Sequence, residues 1–246
     1  SFLMSFAGLS SLASDSALKT ILGGGFMDTA GNFLLIYTAV AYVAVLYATL
    51  ALTKPPRIFY SKEEDMILIH LARGFEETEA ITVIDVLRRA DLDAHFVSLG
   101  VFRQVIGAHG IMIEADYRYE EVDYGCCDMI VLPGGLEGAK ALSVHKGVRK
   151  QLLTFAREGK GLAAICAAPM ILGELGILEG KRATIYPGME EHLIGAVHIE
   201  EDVVRDINII TSQGPATAME FALSIVEFFK GKEAAEEIAE DLLMRR

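Results

Sequence analysis

Residues 162–169 read Leu162-Ala163-Ala164-Ile165-Cys166-Ala167-Ala168-Pro169, and this stretch decides the fold. Four apolar residues without alternation describe a strand covered on both faces, as in a parallel sheet. The residues that follow predict a helix over 167–175. A sharp strand-to-helix turn exposes a nucleophile, and small neighbours avoid clashes with it. Cys166 stands at that turn. Upstream, Met129 to Leu132 is a second unalternating apolar run, and it ends in Pro133-Gly134-Gly135.

The pattern extends in both directions from this pair. Ile67 to Leu71 is a short apolar strand, and Glu77 to Ala90 is a helix with Ala80, Val83, Ile84 and Leu87 on one face. Ala94 to Leu99 is a further strand. Val105-Ile106 and Ile111-Met112-Ile113 flank His109-Gly110 as a hairpin. A helix over 148–157, strands at 183–185 and 207–211, and helices over 221–229 and 234–243 complete the reading. Strands alternating with helices imply a doubly wound, mostly parallel α/β sheet. Ligands of such sheets bind outside the carboxyl ends of the strands.

The 246 residues are 52% hydrophobic with a net charge of −12, and the mean hydropathy is +0.37. That excludes a disordered chain. No basic stripe meets phosphates, so no nucleic-acid partner is expected. The 3 cysteines make no disulfide framework. There is no Cys/His cluster with zinc spacing and no Walker-type loop, so no metal and no cofactor are expected.

These averages join two unlike pieces. Residues 1–62 carry Asp15, Asp28, Lys19, Lys54, Arg57 and Lys62, a net +2, which leaves −14 of the total −12 on residues 63–246. Residues 29–53 contain no charge at all. Roughly 20 apolar residues of helix cross a bilayer, so residues about 32–52 are expected to span a membrane. A secretory signal is the competing reading. It fits less well, because the run is long, starts inside the chain and is followed by Lys54-Pro55-Pro56-Arg57. Those basic residues place the C-terminal side in the cytoplasm. The alternatives are a buried hydrophobic extension or a helix packed on another subunit, with the protein simply cytoplasmic. The expected organisation is an apolar segment at 1–28, a transmembrane helix at 29–53, a linker at 54–65 and an α/β domain at 66–246.

Three strand ends carry unusual residues. At the first, Glu76, Glu77 and Glu79 open a helix. Charge at a positive helix N-terminus accounts for Glu76 and Glu77, whereas Glu79 lies further in and is a candidate to face the cleft. At the second, Gly134 and Gly135 let the backbone turn and present N–H groups. The third holds Cys166. A lone cysteine is commonly an inert buried residue, but a helix N-terminus favours thiolate. The strand-end position points to a reactive thiol with a pKa below the ordinary value of about 8.5. Cys126 and Cys127 precede their strand, on the opposite edge. A disulfide needs Cα atoms within about 7 Å, so both are read as structural.

Four motifs stand in order: GFEETEA (74–80), DMIVLPGG (128–135), AAICAAP (163–169) and TSQGPATAMEFAL (211–223). On these, residues about 66–243 resemble the DJ-1/ThiJ/PfpI superfamily, in its parkinsonism-associated deglycase and YajL-like branch. The resemblance implies a flavodoxin-like sandwich of the class I glutamine amidotransferase type, and a homodimer. It implies that Cys166 is the reactive thiolate and that Glu79 is a protonated carboxyl bonded to it. It also implies that the N–H groups of Gly135 and Ala167 form an oxyanion site. A neutral carboxyl can donate to a thiolate without repelling it, and can hold a sulfinate after oxidation. Several members place a His where this chain has Tyr186, and Tyr is a poor base at neutral pH. A Cys–His peptidase pair is therefore in doubt. Gly134, His109 and Tyr186 are candidate pocket residues, and His192 and His198 are read as surface residues.

The expected activity is cysteine-dependent chemistry on a reactive carbonyl such as methylglyoxal, or on a glycated protein. The rivals are a redox sensor or stress chaperone working through oxidation of Cys166, a PfpI-type hydrolase, and a ThiJ-like thiamine-related protein.

Overall fold

The structure, a computed structural model, describes residues 41, 45 and 65–244. Apart from residues 41 and 45, the expected span at 29–53 lies outside the described residues, as does the segment at 1–28. Among the described residues no helix is long and apolar enough to cross a membrane. The chain divides into two units, Ser1–Pro55 and Pro56–Arg246, and all the elements below belong to the second.

Seven strands form one sheet. β1 (Met66–Leu71) pairs in parallel with β2 (Asp93–Ser98) on one side and β6 (Met129–Leu132) on the other. β7 (Gly161–Ile165) pairs in parallel with β6 and with β11 (Ile209–Ser212). The edges are β5 (Tyr117–Arg118), parallel to β2, and β10 (Val203–Asp206), antiparallel to β11. The order is β10-β11-β7-β6-β1-β2-β5. A hairpin of β3 (Gln104–Ile106) and β4 (Met112–Glu114) stands apart from it.

Every residue of β1, β6 and β7 is buried. Successive strand residues point to opposite faces, so each central strand feeds two core layers. Leu68, Ile130, Leu132 and Ala164 pack beneath α2 (Leu136–Val144), α3 (Lys146–Glu158) and α4 (Pro169–Glu174). Ile67, Ile69, Val131 and Ile165 pack beneath α1 (Glu77–Arg89), α5 (Ala218–Lys230) and α6 (Lys232–Asp241). This is a flavodoxin-like α/β sandwich with a mostly parallel sheet. The face of α1 buries Ala80, Val83, Ile84 and Leu87, the stripe read from the sequence.

Several boundaries differ from the sequence reading. The helix expected from Ala167 begins at Pro169 and is only 6 residues long. The strand expected at 183–185 is reduced to β8 (Arg182–Ala183), which pairs with β9 (Val197–His198) in a separate ribbon. Thr184 N–H instead donates to Thr211 Oγ1 at 2.9 Å. Ile207 does not belong to a strand. It has φ +55° and turns the chain between β10 and β11.

Candidate active site

The carboxyl ends of β1, β6 and β7 meet where the sheet connects to α1, α2 and α4. Cys166 follows β7 directly and has φ +61°. A non-glycine residue in that region costs energy and persists only when its surroundings hold it. Here the backbone is held on both sides. Cys166 N–H donates to the Ser212 carbonyl at 2.9 Å, and its own carbonyl accepts from Tyr186 N–H at 3.0 Å. Ser212 is in turn fixed by its hydroxyl, which donates to the Asp202 carbonyl at 2.8 Å and meets Thr217 Oγ1 at 2.5 Å. The motif at 211–223 thus braces the elbow, a role its residue types did not reveal.

Glu79 lies on the first turns of α1 and is fully buried. Its Oε2 accepts the Gly134 N–H at 2.6 Å. Oε1 is buried without a well-formed hydrogen bond, and the Cys166 thiol lies against the same carboxyl. Gly134 shows how tight the juxtaposition is. A side-chain carbon there would sit 2.5 Å from Cys166 Cβ, 2.8 Å from Glu79 Oε2 and 3.0 Å from Cys166 Sγ. The absence of a side chain at Gly134 is what lets thiol and carboxyl meet over it.

Burial raises the Glu79 carboxyl to about 7, against the opposing pull of the Gly134 N–H and the thiol. Burial and the Glu79 charge push the Cys166 thiol up to about 12, while the Gly135 and Ala167 N–H groups pull it down. The expectation of a thiol pKa below about 8.5 is therefore overturned for the state with Glu79 ionised. The reason is physical: a six-residue α4 that starts beyond Ala167 brings little helix field, and a carboxylate faces the sulfur. The two groups titrate as a pair. Once the pair has lost one proton, the other can rest on sulfur or on carboxyl. On the carboxyl it removes the like charge and turns Glu79 into a donor.

The other candidates sit as follows. Tyr186 is half exposed and touches the elbow through its backbone. His109 has an exposed side chain, and its Nδ1 lies 2.9 Å from Glu77 Oε2. Glu76 and Glu77, read as helix-end charges, are both buried. Glu76 caps α1 by accepting from Thr78 N–H at 3.3 Å. Glu77 accepts from the N–H groups of His109 at 2.7 Å and Ile111 at 3.3 Å, which straps the β3–β4 hairpin to α1. Glu76, Glu77 and His109 offer three ligand atoms within 4.8 Å of one another, but the Glu77 carboxylate is already occupied by these bonds. Cys127 is buried at the other end of the sheet, with Sγ 3.4 Å from Met66 Sδ. His198 is exposed and His192 partly so.

A flavodoxin-like sandwich with a strained cysteine elbow facing a buried carboxyl is a defined class of α/β protein. The chain belongs to the DJ-1/PfpI family, whose profile matches residues 65–228. It is 41% identical over 180 residues to Protein dj-1beta of Drosophila melanogaster, covering 72% of this chain and 96% of that one. The crystal structure of Drosophila DJ-1beta matches with a TM-score of 0.67 at 37% identity, covering 74% and 100%. A deglycase of Pyrococcus abyssi is 32% identical over 168 residues, 67% of this chain and 99% of the relative. Protein DJ-1 homolog B of Arabidopsis thaliana is 40% identical over 179 residues, which is 72% of this chain but 41% of the relative. The match thus spans under half of that relative's length.

Proposed function

We propose that this DJ-1-like domain is a cysteine-dependent enzyme acting on reactive carbonyls, of the glyoxalase III or protein deglycase kind. The observation that carries the reading is the meeting of the Cys166 thiol and the buried, neutral-prone Glu79 carboxyl over Gly134. A relative named a deglycase supports it. In the first step the thiol proton passes to Glu79 as sulfur bonds to the aldehyde carbon of methylglyoxal. The carbonyl π pair becomes an oxyanion, for which we assign the Gly135 and Ala167 N–H groups as donors because both already bear on the Cys166 sulfur. Glu79 returns the proton to that oxygen, giving a hemithioacetal. The hydrogen on the sulfur-bearing carbon then moves as a proton to the adjacent carbon and the hydroxyl proton moves to the former ketone oxygen, giving a lactoyl thioester. Water adds to its carbonyl, the thiol leaves with a proton, and lactate is released. The test is methylglyoxal turnover to lactate, expected in the full chain and lost in Cys166→Ser. Undiminished turnover in that variant would overturn the assignment.

A redox reading has its own support. Cys166 lies beyond the carboxyl end of β7, whereas Cys127 precedes β6, and the register sets Leu132 opposite Ala164. A sulfenic acid at Cys166 therefore has no neighbouring thiol among the described cysteines, and further oxidation to sulfinate is the open route. We propose that the charge-free run 29–53 anchors the chain in a membrane, with the domain on the cytoplasmic side because Lys54 and Arg57 follow it. Exposed Ile81, Ile106, Ile111 and Met112, on α1 and the strapped hairpin, support a homodimer. Pelleting of the full chain with membranes, and a dimer mass in detergent by ultracentrifugation, test both. A monodisperse monomer in a detergent-free supernatant would overturn both.

A further inference from the structure

A second concavity lies away from the cysteine elbow, between α3, the turn after α4 and the start of β11. Its volume is about 770 Å³, within the 300–1,000 Å³ usual for small-molecule sites. One wall is a single stripe of α3, short and basic, which the acidic balance of the whole chain conceals and which the sequence reading did not expect. Lys146, Arg149, Lys150, Leu153, Thr154 and Arg157 are spaced by three and four residues, so they share a face. At 1.5 Å per residue that stripe runs roughly 16 Å. Lys181, beyond the turn that follows α4, also lines the groove.

Charge makes this groove exceptional. Residues 63–246 carry −14, yet five cations and no carboxylate line the groove among the described residues. None of the five forms an ion pair there. Arg149 reaches the Ser143 carbonyl at 3.0 Å, and Arg157 turns back to Leu153 O and Thr154 Oγ1. Like charges crowded without counter-ions are unfavourable unless something anionic offsets them. Between the cations Leu153 is exposed and Leu175 half-buried, above the buried Ile177 and Ile209. A bare inorganic anion would leave Leu153 and Leu175 wet, and an uncharged apolar molecule would leave the cations uncompensated.

We propose that this groove binds a small soluble organic anion with an apolar body, an alkyl or aryl phosphate or carboxylate. The acidic head meets Lys150, Lys181 and their neighbouring arginines, and the body covers Leu153 and Leu175. The site is separate from Cys166, which lies past the other end of β7, and does not depend on the reaction assigned there.

Hexyl phosphate is the probe, titrated calorimetrically into the full chain. Inorganic phosphate, hexanol and vesicles of phosphatidylglycerol are the comparison arms. The expected result is saturable hexyl phosphate binding, at least ten-fold tighter than inorganic phosphate or hexanol, with no preference for vesicles. Hydrogen exchange of the unaltered protein should slow over 146–157 and 175–181. Binding should weaken ten-fold or more in Lys150→Glu/Lys181→Glu, and less in the neutral pair Lys150→Gln/Lys181→Gln. Lys230→Glu, on α5, should leave it unchanged, as should alkylation of Cys166. Equal affinity in the double charge-reversal variant, protection elsewhere, equal binding of inorganic phosphate, or capture by vesicles alone would each overturn the proposal.

Discussion

The two ends of the central sheet each hold a cysteine whose thiol is pushed up to about 12, and they are not alike. At the amino end, Cys127 is pushed there by burial. Its sulfur packs against Met66 and the Asp123 carbonyl, 3.4 Å from each. At the carboxyl end, Cys166 reaches the same value through burial and the charge on Glu79, with two backbone N–H groups pulling the other way. The first cause is permanent while the fold stands. At Cys166 burial persists too, and only the Glu79 charge disappears when the proton sits on the carboxyl instead. The chemistry of a thiol here is therefore decided by whether its neighbour can take its proton, and that neighbour exists only at the end where parallel strands leave room for a site.

The largest effect expected is at the residue that permits the meeting. Gly134→Ala puts a carbon in the space held by Cys166 and Glu79. A displacement near 1 Å of reacting groups costs on the order of a hundred-fold in rate. Methylglyoxal turnover should fall by about that factor while the far-ultraviolet dichroism stays unchanged. Near-normal turnover would mean that thiol and carboxyl do not act together.

The next effect separates the two thiols. Iodoacetamide at pH 7.5 should modify Cys166 well before Cys127, as read by peptide mapping. For Cys166 the alkylation rate should climb as the Glu79–Cys166 pair loses its first proton near pH 7, then level off. In Glu79→Gln that step should vanish. The remaining single step should fall below 12, because the repelling charge is gone, yet stay above the ordinary thiol value of about 8.5 because burial persists. Cys127→Ser should leave turnover intact and cost about 1–3 kcal/mol of stability by burying a hydroxyl. Preferential labelling of Cys127 would erase the distinction between the two ends.

How much of this was written in the chain depends on which force shapes each part. The central strands were legible because doubly covered strands need unbroken apolar runs, as in Met129–Leu132. The Cys166 elbow was legible because the small residues around it are a local requirement of the turn. The parts that failed rest on long-range fit. α2 hides because Gly138 breaks its helical pattern, yet a side chain there would sit 2.8 Å from Phe75 N. β10 hides because its turn uses Ile207 where a glycine or asparagine would have signalled φ above zero. Glu77 does stand in the first turn of α1, but its second role was hidden because nothing in GFEETEA says that a hairpin thirty residues on will fold over it. Ser212 acts on the elbow through its carbonyl, which every residue possesses.

The smallest effect expected concerns that hairpin strap, and it contrasts Glu77 with Glu79, two residues apart on α1. At Glu79 burial outweighs the hydrogen bonds from the Gly134 N–H and the Cys166 thiol and raises the carboxyl. For Glu77 burial is also the largest single influence and acts upward, but hydrogen bonds from His109 and from backbone N–H groups outweigh it and hold the carboxyl below its ordinary range. His109 is raised in return by the same carboxylate. A lowered carboxyl contributes stability that is present above its unfolded value and lost as pH falls through its folded one. A raised histidine contributes stability that is present below its unfolded value of about 6.5 and lost as pH rises through its folded one. Amide protection in residues 104–114 should therefore be greatest between the two unfolded values, about 4.5 for Glu77 and about 6.5 for His109, should decline as pH rises from there through the raised His109 value, and should level off above it. His109→Ala should remove that alkaline-side decline and change little else, because the imidazole is exposed and the backbone N–H at 109 still donates to Glu77. Glu77→Gln should loosen the hairpin at every pH above the acid range and lower Tm by a few degrees. Hydrogen exchange across pH 5–9 reads both. An unchanged alkaline decline in His109→Ala would show that the strap is held by the backbone donors alone, leaving the imidazole no part in it.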